Sequence, residues 1–169
     1  MATKSLLHSP TQIRAKAHPG HQAKFESQYF AVALVDHRIY DQYAEHYLGL
    51  CAAGSVAEVR VYLTAIRQFV NEKLLSHIAF EEQRIFPALL ANIPTAEVAR
   101  QVAALRAEHK RLRAQIKQLN ALFDADPPPA NQFPLLKEAM RLLLVNNSKH
   151  VHQEDELYGL MLEWHRRSP

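Results

Sequence analysis

Apolar side chains recur every three or four residues along four long stretches of the chain, and this spacing predicts four amphipathic helices. Gly54 ends the first helix, and Ser55 with Glu58 forms a capping box that opens the second. We expect Pro87 to bend or shorten the last turns of the second helix. The predicted helices cover about residues 21–53, 55–91, 95–123 and 132–166.

The connections between these helices are short, and three consecutive prolines stiffen the last one. Short connections make neighbouring helices antiparallel. The expected fold is therefore all-α, an up-down-up-down antiparallel four-helix bundle. We interpret residues 1–20 as a flexible N-terminal leader and residues 21–169 as a single bundle domain.

Composition excludes several classes of function. The formal net charge is +3, and no stretch concentrates basic residues as nucleic-acid binders do. No apolar run reaches the length of a membrane span, and the N-terminal residues lack the apolar core of a secretion signal. Cys51 is the only cysteine, which excludes an intrachain disulfide and a zinc site built on several thiolates. We expect a cytoplasmic protein without nucleic-acid or membrane partners; a protein partner is not predicted.

Three of the ten histidines are each followed four residues later by a glutamate, and two of these pairs are His77–Glu81 and His150–Glu154. On a helix this spacing places both side chains on one face. The spacing alone is weak because a chain this rich in histidine and acidic residues contains such a pair by chance. Helical phase is therefore needed to decide which pairs point inward.

Helical phase divides these histidines into buried and exposed sets. His77 and His150 share their faces with leucine, isoleucine, valine and methionine, and so do the isolated His37 and His109. His152 and Glu156 also have the four-residue spacing, but their neighbours in phase are mostly polar. We expect this last pair to face solvent.

The buried histidines also lie at a similar height along the predicted bundle, within about two helical turns of about 5.4 Å each. A single buried histidine is best explained as a core residue with its own hydrogen bond. Four at one level, with two carboxylates that could not both stay ionised in an apolar core without cations, favour a metal site. The predicted ligands are His37, His77, Glu81, His109, His150 and Glu154.

Mixed imidazole and carboxylate ligation suits iron, manganese or zinc. Ferritin-like proteins use a glutamate followed three residues later by histidine, and this chain contains no such pair. The order of the motifs instead resembles the hemerythrin-like HHE cation-binding domain, over about residues 21–165. The resemblance rests on His37, the stretch from His77 to Pro87, Glu108-His109, and the stretch from His150 to Glu154.

This resemblance implies a non-haem, carboxylate-bridged centre of two iron ions, with manganese or zinc as other possible metals. By position, one histidine pair would hold each ion and two glutamates would bridge them. The pairs are His37 with His77 and His109 with His150, and the bridges are Glu81 and Glu154.

The chain departs from the oxygen-carrying members of that family at two positions. Arg113 stands where those proteins have a fifth histidine, which leaves a coordination position open or filled by another group. They also take the last carboxylate one residue later, at Asp155, whereas Glu154 is better in phase here. Asp41 could be the additional ligand or could pair with Arg113, and we favour the ion pair.

Three tyrosines, Tyr40, Tyr47 and Tyr158, lie near the phase of the predicted site. We favour a packing role for them over a hydrogen-bonding or redox role. The expected function is binding, sensing or detoxification of dioxygen, nitric oxide or peroxide in oxidative or nitrosative stress. The alternatives are a di-iron oxidase or oxygenase acting on an organic substrate, which would need a pocket beside the metals, and an iron-responsive interaction module.

Overall fold

The computed structural model describes residues 19–125 and 132–167, which form an all-helical structure. Nearly all of the predicted leader and most of the proline-rich connector lie outside the described residues. The first helix already begins at Pro19, two residues before the predicted start. The helices are α1 (Pro19–Ala53), α2 (Val56–Phe69), α3 (Leu75–Phe80), α4 (Phe86–Asn92), α5 (Ala96–Phe123) and α6 (Gln132–Arg167).

Helices α2, α3 and α4 form one continuous rod, residues 56–92, because two π-turns join them. The π-turns are Val70–Leu74 and Glu81–Ile85. Buried side chains follow each other at intervals of four along this rod, as at Ile66, Val70 and Leu74. In an α-helix each step of four advances about 40° beyond a full turn, so repeated steps would leave the core. The wider π-turns correct this drift, and the sequence pattern did not reveal them.

Local sequence explains where the rod of residues 56–92 begins and how it accommodates a proline. The Ser55 side chain accepts a hydrogen bond from the Glu58 backbone N–H, and the Ser55 N–H donates to the Glu58 carboxylate, which confirms the capping box. A Cβ at Gly54 would lie 2.7 Å from the Leu50 carbonyl oxygen, so only glycine fits there. Pro87 directly follows the second π-turn as the second residue of α4, where the wider turn already interrupts the regular α-helical hydrogen bonds.

Pairs of contacts between helices establish the antiparallel arrangement. His37 of α1 contacts Asp155 of α6, while the later Asp41 contacts the earlier Ser148. Between the rod and α5, Arg67 contacts Asn120, whereas the later Glu82 contacts the earlier His109. The predicted all-α four-helix bundle is therefore confirmed. None of the described helices is long and apolar enough to cross a membrane.

A layer of polar side chains divides the apolar core into two clusters. One cluster packs around Tyr40, Leu74 and Leu112 and extends to the end of the bundle that holds Tyr47. The other packs around Phe30, Ile85 and other residues toward the opposite end. Because apolar side chains close this layer above and below, water reaches it only from the sides of the bundle.

Candidate metal centre

The layer contains all six side chains that the sequence predicted as ligands, and every one is buried. Glu81 and Glu154 are 0 % exposed. All four members of the bundle, here called rods, contribute to the layer: α1, the rod of residues 56–92, α5 and α6. Helices α1 and α5 each carry one histidine, and the other two rods each carry one histidine and one glutamate. The six are His37, His77, Glu81, His109, His150 and Glu154.

The histidines converge in pairs. The Nε2 atoms of His37 and His77 lie 3.0 Å apart, and the ring centres of His109 and His150 lie 4.7 Å apart. Each pair combines with both glutamates into a group of four residues whose potential ligand atoms lie within 4.8 Å of one another. The groups therefore overlap, and the glutamates are their common members.

Each glutamate directs one oxygen to each histidine pair. Oε1 of Glu81 lies 3.1 Å from Nε2 of His77, and its Oε2 lies 3.3 Å from Nε2 of His109. Oε2 of Glu154 lies 3.5 Å from Nε2 of His37, and its Oε1 lies 3.0 Å from Nε2 of His150. This division of oxygens is the arrangement by which a carboxylate bridges two cations.

A second ring of carboxylates surrounds the histidines. Each Nδ1 atom faces a carboxylate carried by a neighbouring rod, at 2.6 to 3.1 Å. A proton on Nδ1 can therefore donate outward and leave the Nε2 lone pair for a cation, as metal-binding histidines require. The pairs run around the bundle as Asp36 with His77, Glu82 with His109, Glu108 with His150, and Asp155 with His37.

The electrostatics of the metal-free cluster favour ionised groups. Burial lowers the pKa of His77, but its bonds with Asp36 and Glu81 outweigh burial and raise the pKa to about 10. Burial likewise lowers the pKa of His109, while Glu154 and Glu81 raise it to about 9. Burial raises the pKa of Glu81, and its histidine neighbours hold it well below the usual range. Protons thus provide the positive charge that a metal ion would supply.

The inner polar atoms of the layer are incompletely satisfied by the protein. Oε2 of Glu81, both oxygens of Glu154, and Nε2 of His109 and of His150 are buried and have no hydrogen-bond partner in the described part of the chain. Buried polar groups are almost always paired, and unpaired ones are costly. A donor set of imidazole nitrogens and carboxylate oxygens with their lone pairs directed inward fits two cations and explains these atoms.

One of the three tyrosines near the predicted site forms a hydrogen bond with a predicted ligand. The Tyr158 hydroxyl donates a hydrogen bond of 2.7 Å to Oε1 of Glu81. The Tyr40 ring packs edge-on against His77, and its hydroxyl lies 3.4 Å from the Lys73 carbonyl oxygen. Tyr47 bonds the Lys137 carbonyl, away from the layer. The packing interpretation therefore fails for Tyr158, which supports the orientation of a candidate bridge.

The structure contradicts the expected pairing of Asp41 with Arg113. Arg113 makes two hydrogen bonds, of 2.8 and 2.9 Å, to the carboxylate of Glu82. Asp41 accepts from the Ser148 hydroxyl and belongs to neither ligand group. The reason is geometric: Arg113 lies on the side of α5 that faces the rod, whereas Asp41 faces α6. Arg113, which stands at the position of the fifth histidine, thus orients Glu82, the outward partner of His109.

Two sequence-based choices between neighbouring residues agree with the geometry. His152 and Glu156 are exposed, so their four-residue spacing has no part in the layer. Glu154 points into the layer, whereas Asp155 contacts His37 from outside and its side chain is 42 % exposed. Phase therefore distinguished the inward residue of each pair from its neighbours.

Sequence reasoning missed the ring of outer carboxylates and the buried Asn147. The carboxylates did leave a signal, since each one stands next to a predicted ligand in the chain. The four neighbouring pairs are Asp36-His37, Glu81-Glu82, Glu108-His109 and Glu154-Asp155. Asn147 could have been found as a further polar residue in phase with His150 and Glu154 on the buried face of α6.

Fold and layer together define a helical-bundle protein with a candidate two-metal centre. The family model of the hemerythrin HHE cation binding domain matches residues 34–162, which is most of the chain. This protein belongs to that family, and the resemblance seen in its sequence is confirmed. No curated protein and no solved structure matched the chain.

Proposed function

We propose that this protein is a non-haem di-iron protein that binds or reacts with a small ligand, dioxygen, nitric oxide or peroxide, in oxidative or nitrosative stress. His37 and His77 hold one ion, His109 and His150 hold the other, and Glu81 and Glu154 bridge them. Iron supplies redox chemistry and coordination positions for the small ligand. Manganese and zinc fit the same donors and are the competing metals.

The observation that carries this proposal is the sharing of both glutamates between the two histidine pairs. Each has one oxygen near an Nε2 atom of either pair, at 3.0 to 3.5 Å. A single-metal site would need only one such group. Both Glu154 oxygens face histidine Nε2 atoms at 3.0 to 3.5 Å without a hydrogen bond between them, which suits lone pairs that share a cation. The arrangement therefore favours two ions held side by side.

The surroundings of the layer favour a small ligand. Apolar clusters close it at both ends, and the four outer carboxylates occupy the gaps between the rods. Tyr158 holds Glu81 in place from one end. These residues restrict access to the inner atoms of the layer, and a site that is shielded from bulk water strengthens the electrostatic interactions inside it.

The decisive experiment combines metal analysis with visible spectra of anaerobically purified protein. Metal analysis should give two irons per chain. Titration with dioxygen, nitric oxide and hydrogen peroxide should change the visible spectrum with at least one of these ligands. Repeated additions then separate binding from turnover, because a turned-over ligand is consumed. A colourless protein that contains only zinc would refute the redox function.

An oxidase acting on an organic substrate is a second candidate because an apolar cleft of about 530 Å³ lies between α1 and the rod. This cleft reaches Asp36 and His77, which places it against the outward edge of the layer. Oxygen consumption that rises when an apolar aromatic compound is added, and is lost when Ile39 in the cleft is changed to Arg, would favour this function. Its apolar lining comprises Val32, Ile39, Tyr40, Tyr43, Phe69 and Phe80.

A further inference from the structure

Asn147 is the one buried polar side chain of the described residues that lies outside the six candidate ligands. It is 4 % exposed and belongs to the inward face of α6. Apart from the candidate ligand His150, nearby positions on that face are apolar, with Leu143 and Leu144 before it and Val151 after it. Leucine would suit this position by pattern, so the amide needs a physical explanation.

The amide oxygen of Asn147 has no hydrogen-bond partner in the part of the chain that the structure describes. Leaving a buried acceptor unpaired costs free energy that an apolar residue of similar size avoids. Such groups are few in folded proteins, and a missing small ligand or water is a common explanation.

The position of Asn147 places it beside the candidate metal centre. It precedes His150 by three residues and Glu154 by seven, which puts all three on one face of α6. The next residue, Ser148, bonds Asp41 of α1, one turn beyond His37. Asn147 therefore belongs to the apolar layer on the side of the centre opposite Tyr158.

We propose that Asn147 accepts a hydrogen bond from a small protic ligand in the centre, such as water, hydroxide or hydrogen peroxide. This inference rests on the function proposed above and narrows its ligand class. Dioxygen and nitric oxide carry no hydrogen to donate, so this acceptor makes no hydrogen bond to them. Asn147 does not hold a metal ion in this arrangement; it binds the ligand that the ions hold.

The test compares Asn147→Leu with the wild-type protein, each loaded with iron. The variant should keep two irons per chain, and the hydrogen peroxide concentration for half of the spectral change should rise about tenfold, the effect of one hydrogen bond. The half-saturating nitric oxide concentration should stay within about twofold. In the metal-free proteins, leucine should raise the melting temperature by about 2–4 °C, because it removes an unpaired buried amide.

A matched control is Asn146→Leu, which makes the same change at the adjacent, exposed asparagine and should leave both ligands unaffected. Equal effects of Asn147→Leu on peroxide and nitric oxide, or no effect on either, would overturn the inference. Loss of iron, or a lower melting temperature of the metal-free variant, would show a structural role and overturn it too. A wild-type protein that holds no iron and responds to neither probe would instead refute the proposed function, and this inference with it.

Discussion

The Nε2 atoms of His37 and His77 lie 3.0 Å apart while the Nδ1 atoms of both rings face carboxylates. With the Nδ1 protons donated outward, two lone pairs meet at this distance, and they repel each other unless a cation or a proton lies between them. The rings are held from outside by Asp155 and Asp36, which come from different rods. The bundle thus imposes on these nitrogens an arrangement that a metal ion would stabilise.

The first prediction concerns removal of one ligand from either pair. His77→Ala and His150→Ala should each lower the metal content below two ions per chain, and the free energy of unfolding should fall by about 3–5 kcal/mol, because buried charges lose their partner. Metal analysis and denaturant unfolding measure these effects. His152→Ala is the control, since that exposed histidine should be dispensable. If both variants keep two ions, the ligand assignment is wrong.

The second prediction concerns the outer carboxylate that Arg113 orients. Glu82→Gln keeps the shape of the side chain but removes the charge that faces His109, so metal affinity should fall about 10- to 100-fold at one of the two positions. Competition with a chelator measures the affinity of each position. Glu138→Gln is the control: it removes a carboxylate that accepts two hydrogen bonds from Arg141 on the surface, and it should leave the metal affinity of both positions unchanged. An equal loss at both positions would contradict the local role of Glu82.

The six side chains of the polar layer could be predicted from sequence because helical phase is a one-dimensional property. His77 and Glu81 lie on one face whatever the other helices do, and the apolar neighbours indicate which face is buried. Family membership was visible for the same reason, since the order and spacing of these residues survive in the sequence. The short connections were sufficient to predict antiparallel packing.

Contacts between rods could not be predicted in the same way. Arg113 bonds Glu82 and Asp41 bonds Ser148 because the rotation and height of each rod select the partner. Helical phase shows only which side of its own helix a residue occupies, so it was compatible with an ion pair between Arg113 and Asp41 that the structure does not contain. The π-turns were missed because intervals of four occur in ordinary helices too, and only their repetition along one rod signals a wider turn.

The third prediction concerns the hydrogen bond from Tyr158 to Glu81. Tyr158→Phe leaves the packing nearly intact but removes a donor to a buried carboxylate, so stability should fall by about 1.5–3 kcal/mol and the metal affinity should weaken. Tyr47→Phe is the matched control, because its hydroxyl bonds the Lys137 carbonyl away from the layer. The Tyr47→Phe substitution should lower the free energy of unfolding by about 1 kcal/mol and leave the metal affinity unchanged. Identical metal affinities for Tyr158→Phe and wild type would show that the bond is structural only.

The fourth prediction concerns the pH dependence of the metal-free protein. The pKa values of His77 and His109 are raised in the folded state to about 10 and about 9, above the ordinary 6.5 of histidine. A raised pKa contributes stability that is complete below the unfolded value and is lost as the pH rises through the folded value. The melting temperature of chelator-treated protein should therefore fall between about pH 6.5 and pH 10.

The metal-loaded protein gives the control for this pH dependence. Its histidines bind through unprotonated nitrogens, so loading releases protons and the fall over the same interval should be absent. The causes of the raised pKa values are the carboxylates Asp36 and Glu81 beside His77, and Glu154 and Glu81 beside His109, which outweigh the opposite effect of burial. His77→Gln, which cannot take up a proton, should make the decline of the metal-free protein shallower. A melting temperature that stays constant or rises from pH 6.5 to pH 10 would show that the metal-free cluster is not held together by protonated histidines.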